Sequence, residues 1–266
     1  MSYLDVPCAQ LYYEVDGAGP AVLLVHAGVA HLRMWDEQVA AWKDRFTVIR
    51  YDQRGFGKTT CDDRPFSNRD DIRLLLDHLG VERASVVGLS RGGQIATDFT
   101  IEHPDRVNAL VAVASGLGGH QMPDDDSIDW EDIDKLETGK QWPELVEKET
   151  QIWTDGVGQP PTRVDPSVRR RMVEWNLENY RAEQPASQAQ PLIPAAADRL
   201  GEIHVPTLVM WGTLDTAGVI SACERIATDV PGAQKHVFEG VAHMVNLERP
   251  AEFNQIVGEF LGAAAA

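Results

Sequence analysis

The feature that most restricts the fold is alternation. Seven short apolar runs, each bounded by turn residues, recur along the chain: "LYYEV" from Leu11, "AVLLVH" from Ala21, "FTVIRYD" from Phe46, "ASVVGLS" from Ala84, "VNALVAVAS" from Val107, "TLVMWG" from Thr207 and "KHVFEG" from Lys235. Each has the length and composition of a strand buried on both faces, as in a parallel sheet covered by helices. Between them lie helical patterns. In "RDDIRLLLDHLG", Ile72, Leu75, Leu76 and Leu79 recur at helical spacing and Gly80 supplies a C-terminal stop. Parallel neighbours require right-handed crossovers, so the pattern predicts an α/β fold with a doubly wound, mostly parallel sheet.

The alternation stops between Gly118 and Leu200. Here "PDDDSIDWEDIDKLE", "WPELVEKETQIW" and "VRRRMVEWNLENYR" read as amphipathic helices, with "DGVGQPPTRVDP" and "QPASQAQPLIP" as loops. The predicted organisation is a core in two parts, residues 1–117 and 201–266, interrupted by a helical cap insertion at 118–200. A chain of 266 residues that is 43% hydrophobic is long enough to bury a core of that size.

Charge excludes some classes of partner. Lys and Arg number 24 against 41 Asp and Glu, a formal net charge of -17, which repels phosphate backbones and anionic membranes. Neither nucleic acid nor membrane is expected as a partner. The start, "MSYLDVPCAQ", lacks a basic segment followed by an apolar one, and no apolar run approaches the ~20 residues that span a bilayer. The chain reads as cytoplasmic. Cys8, Cys61 and Cys223 are odd in number and widely spaced, which suggests neither disulfides nor a zinc site. Consecutive aspartates in "DDDSIDWEDID" form a solvated helix face rather than converging ligands, so no metal is expected.

The stretch "VVGLSRGGQIA" carries the chemistry. Gly88-Leu89-Ser90-Arg91-Gly92 matches G-x-S-x-G, where a sharp turn between strand and helix holds a serine in a strained backbone conformation with its oxygen exposed. The glycines are required because side chains there would strike the neighbouring strand or helix. A serine hydroxyl is a weak nucleophile at neutral pH and needs an imidazole to take its proton.

Of eight histidines, His243 stands out. "VFEGVAHMVNLERP" places it in a loop after the last expected strand, at the carboxyl edge where open α/β sheets bind ligands. That histidine needs a carboxylate to hold its tautomer, and "TLVMWGTLDTAG" offers Asp215 on the loop after the preceding strand. The order Ser90, Asp215, His243 is the chain order of one triad architecture. A developing oxyanion also needs donors, for which the backbone N–H groups of Arg91 and Gly28 are candidates.

Together these residues resemble the α/β-hydrolase superfamily over essentially the whole chain. The matching segments are "HAG" at His26, "YDQRGFGKT" at Tyr51, "GLSRGG" at Gly88, "EHPDRV" at Glu102, "WGTLD" at Trp211 and "GVAHMVNLERP" at Gly240. The resemblance implies Ser90 as nucleophile, His243 as base, Asp215 as orienting acid, and Gly28 and Arg91 as oxyanion donors. It is strongest to the serine-nucleophile branch with 3-oxoadipate enol-lactonases, small carboxylesterases and acyl-homoserine lactone hydrolases. The chain departs from the pattern at Ala27, where glycine is usual, and at Thr59, where serine is frequent.

The implied activity is cofactor-free hydrolysis of a small-molecule ester or lactone through an acyl-enzyme. A ligand-sensing protein of the same fold, a perhydrolase and a carbon-carbon bond hydrolase are the alternatives. His31, Arg33, Trp130 and Trp153 are the candidate substrate contacts, the arginine for a carboxylate and the tryptophans for an apolar acyl group. Oligomeric state is not legible from the sequence.

Overall fold

A computed structural model describes residues 2–123, 127–182 and 188–265. Among these, nine strands form one sheet: β1 (Ser2–Val6), β2 (Ala9–Asp16), β3 (Ala21–Val25), β4 (Thr47–Tyr51), β5 (Thr60–Cys61), β6 (Ala84–Leu89), β7 (Val107–Val113), β8 (Thr207–Gly212) and β9 (Gln234–Phe238). Their order is β1-β2-β4-β3-β6-β7-β8-β9, with β5 paired to β2. From β4 to β9 every pairing is parallel, and β1, β2 and β5 add antiparallel pairings at one end.

All seven apolar runs form strands. "LYYEV" differs from expectation: it lies in β2, runs antiparallel to β4, and leaves Val15 exposed. Only Gly17–Pro20 separate β2 from β3, and so short a link cannot make the crossover a parallel neighbour requires. Gly17 and Gly19, at φ 80° and 128°, reverse the chain there. β1 was not anticipated; its polar and exposed residues carry no buried-strand signal.

The helices are α1 (Asp36–Trp42), α2 (Asn68–His78), α3 (Arg91–Glu102), α4 (Trp130–Thr138), α5 (Trp142–Thr150), α6 (Pro166–Arg181), α7 (Ala217–Asp229), α8 (Val245–Glu248) and α9 (Pro250–Ala264). α2 ends as its sequence predicts. Gly80 takes φ 67°, its N–H reaches Asp77 O, and the Val81 N–H reaches Leu76 O, which satisfies two orphaned carbonyls.

Successive strand residues point to opposite faces, so each central strand feeds two cores. Leu23 and Val25 of β3 pack with α2, α3 and α7, whereas Val22 and Leu24 pack with α1 and α9. A third, smaller cluster joins Ile133 and Leu136 of α4 to Leu145 of α5. Val168 and Met172 of α6 instead join the core on the α1 and α9 face. The expected helix at "PDDDSIDWEDIDKLE" begins only at Trp130, where Asp129 accepts from the Asp132 N–H at 2.9 Å; residues 124–126 of that stretch, and 184–187 of the loop "QPASQAQPLIP", lie outside the described residues. Among the described residues no helix is long and apolar enough to cross a membrane.

Candidate active site

Because β3, β6, β7, β8 and β9 are parallel neighbours, the loops at their carboxyl ends meet along one edge. Ser90 follows β6 directly and precedes α3, with φ 60° and ψ -120°. That conformation costs a non-glycine residue on the order of 1–3 kcal/mol. The turn is held from both sides: the Ser90 N–H donates to Val113 O at 2.9 Å, and the Ser90 carbonyl accepts from Gln94 N and Gly116 N. The flanking glycines are sterically necessary. A Cβ on Gly88 would lie 2.1 Å from Gly92 O, and one on Gly92 would lie 2.2 Å from Val25 O.

Asp215 and His243 come together on the loops after β8 and β9. His243 Nδ1 lies 2.8 Å from Asp215 Oδ2, and the other carboxylate oxygen accepts from the Thr216 N–H at 2.8 Å. A carboxylate only accepts, so Nδ1 carries the proton and Nε2 keeps its lone pair for an incoming proton. The two loops interlock. Leu214 N–H donates to Val241 O, Gly240 N–H donates to Thr213 Oγ1, and a Cβ on Gly212 would lie 2.1 Å from Val241 O.

The N–H groups of Gly28 and Arg91 have no acceptor among the described residues. They are close neighbours: a Cβ on Gly28 would lie 3.8 Å from Arg91 Cβ. Arg91 begins α3, where the first N–H groups lack intrahelical partners, so two unused donors flank the serine turn.

Gln53, which lies in the segment "YDQRGFGKT" but has no role predicted from sequence, links the loop at His26 to the Arg91 side chain. Its backbone N–H donates to His26 Nε2 at 2.9 Å, its side-chain amide donates to His26 O at 2.6 Å, and its Oε1 accepts from Arg91 Nε at 3.0 Å. Burial pushes His26 down to about 3, so the ring stays neutral, with Nδ1–H donating to Ala27 O. Asn179 of α6 braces the same region: its amide donates to Ala30 O and accepts from Gly57 N–H. Asp52 accepts from the Leu32 and Lys58 N–H groups. Burial raises its carboxyl to about 6.

The candidate substrate residues separate. Trp153 lies against His243 with ring centroids 4.7 Å apart, and Trp130 packs on Trp153 at 6.2 Å. Trp153 sits in a single π-helical turn, Gln151–Asp155, after α5, and such turns often mark functional positions. Arg163 anchors that turn to the His243 loop, donating to the carbonyls of Thr154, Asp155 and Gly240 and pairing with Glu248 at 2.6 Å. Arg33, by contrast, pairs with Glu14 and Asp36. His31 lies 3.6 Å from Glu178 and edge-on to Trp175, and burial lowers its affinity for a proton. Arg33 and His31 share a cleft with Tyr12 and Lys58.

The strand order, the helices inserted between β7 and β8, and the serine turn define an α/β hydrolase, and the alpha/beta hydrolase fold family, to which the chain belongs, matches residues 20–250. The chain is 31% identical to the 2-hydroxy-6-oxononadienedioate/2-hydroxy-6-oxononatrienedioate hydrolase of Paraburkholderia phymatum, over 95% of this chain and 91% of that one. It is 27% identical to the 2-hydroxy-6-oxo-6-phenylhexa-2,4-dienoate hydrolase of Comamonas testosteroni, over 98% and 94% of the two chains. The solved enol-lactonase from Burkholderia xenovorans matches with a TM-score of 0.81 and 25% identity, covering 98% of this chain and all of that one.

Proposed function

We propose that this hydrolase cleaves a carboxylic ester or lactone through an acyl-enzyme on Ser90. The observation that carries the reading is the buried Asp215–His243 pair, joined at 2.8 Å on the sheet edge that also bears the strained Ser90 turn. His243 Nε2 takes the Ser90 proton as Oγ bonds to the carbonyl carbon. The tetrahedral oxyanion is held by the N–H groups of Gly28 and Arg91. Collapse breaks the acyl–oxygen bond, and the imidazolium returns its proton to the departing alcohol. His243 then activates water, which releases the acid and restores the serine. The segment 118–200 acts as a cap on a core formed by 1–117 and 201–266, and Trp153 with Trp130 gives it an apolar wall beside His243.

A second reading is carbon-carbon bond hydrolysis, in which the same residues cleave a vinylogous diketone. It is favoured by the 31% identity, over 95% of the chain, to a hydrolase of an oxononadienedioate. Turnover of p-nitrophenyl esters, small lactones and a 2-hydroxy-6-oxo-dienoate, assayed in wild type and Ser90→Ala, tests both. Ester or lactone turnover that is lost in the variant supports the first reading. Turnover of the dienoate alone supports the second, and turnover surviving in Ser90→Ala contradicts both.

A further inference from the structure

The side chain of Arg91 plays no part in the mechanism above, which uses only its backbone N–H. The guanidinium is half-buried beside the nucleophile and has no carboxylate within ion-pair distance among the described residues. In this it differs from Arg33, Arg50, Arg54 and Arg163, each of which faces Asp or Glu. Its stem runs past Gly28, where a Cβ would lie 3.6 Å from Arg91 Cδ. The bond from Nε to Gln53 Oε1 and the Phe56 ring, 5.6 Å from Cζ, fix the guanidinium plane.

Nη1 and Nη2 make no hydrogen bond among the described residues, and Arg91 lines a cleft of about 200 Å³ with Gln94, Asn68, Gln190 and Arg69, the last paired with Glu102. Gln94 lies one helical turn on, and its side-chain amide likewise has no hydrogen-bond partner among the described residues. A half-buried cation without a counter-ion is free to take an anionic ligand, and two parallel N–H donors match one carboxylate. In a chain of net charge -17, this is a cation without a carboxylate partner among the described residues, next to the serine turn. Asp98 also lines the cleft with Oδ1 unpartnered, but it lies seven residues along α3, about 10 Å away along the helix axis.

We infer that Arg91, with Gln94 beside it, is a carboxylate receptor, and that the substrate is an anion whose carboxylate rests there while its reactive carbonyl lies at Ser90. The inference rests on the reading of Ser90 given above and adds the charge of the substrate.

The experiment compares half methyl esters of malonic through adipic acid with the corresponding dimethyl esters. Binding is measured by calorimetry in Ser90→Ala protein, so that it does not depend on turnover. At least one half ester is expected to bind about tenfold or more tighter than its neutral diester. Arg91→Met should erase that preference, Arg91→Lys should retain part of it, and Asp98→Asn should strengthen it several-fold by removing a repelling charge. Equal affinity for half ester and diester throughout, or a preference that survives Arg91→Met, overturns the receptor. Turnover of the same esters by the wild type scores the Ser90 reading separately. The ratio of kcat/KM for half ester to diester is the kinetic readout, because damage to the shared oxyanion donors divides out.

Discussion

The side chains of Asp215 and His243 are 0% and 1% exposed and sit 2.8 Å apart, on two loops bound together by backbone hydrogen bonds. Water cannot substitute for the carboxylate at such a site. Asp215→Asn presents an amide that can donate to the ring and favours the wrong tautomer. The expected result is a loss in kcat of roughly 10²–10⁴-fold with an unchanged fold, read from steady-state kinetics and near-ultraviolet circular dichroism.

Gln53→Ala tests the link between the two N–H groups proposed as oxyanion donors. It removes the bonds to His26 O and Arg91 Nε while leaving both backbone N–H groups in place. Because such donors act chiefly in the transition state, and a neutral ester does not engage the Arg91 guanidinium, kcat on a neutral ester should fall by roughly 10–100-fold while KM changes by less than about threefold. A rise in KM with kcat intact would place Gln53 in ground-state binding.

Arg163 and Glu248 are an interior pair, with side chains 15% and 7% exposed. Arg163→Leu leaves the Glu248 carboxylate with only the Ala242 N–H as partner among the described residues and frees the turn that holds Trp153 against His243. Chemical denaturation should show a loss of about 3 kcal/mol or more, and Arg163→Leu with Glu248→Gln should recover part of it. An additive double variant would show that the pair is not coupled.

Asp98 makes stability depend on pH. Burial raises its carboxyl to about 6, against Arg69, which lowers it, and Glu102, which raises it further. Between the unfolded value near 4 and the folded value, the folded state holds the extra proton. Stability from this group is therefore full below about pH 4 and lost as pH rises through 6. Asp98→Asn removes the loss, so the variant should be more stable than wild type by about 2–3 kcal/mol at pH 8 and equal to it at pH 4. A constant difference across that range in urea titrations would refute the assignment.

The central strands and the Ser90 turn were legible because burial on both faces and the two glycines leave local marks, and Asp215 and His243 because each falls just after an apolar run. Gln53, Asn179 and Arg163 were not. Gln53 acts across 27 and 38 residues, Asn179 across 122 and 149, and Arg163 across 77 and 85, distances at which spacing carries no information. The direction of β2 was lost for a related reason: its central residues Leu11–Tyr13 are as buried as those of a parallel strand, and only the short link at Gly17 distinguishes it.

The most direct test of the account is mass spectrometry after exposure to a fluorophosphonate, which labels activated serines. Wild type should acquire one adduct on Ser90, absent in Ser90→Ala and strongly slowed in His243→Ala. An unlabelled Ser90, or labelling indifferent to His243, would contradict a nucleophilic serine served by that imidazole.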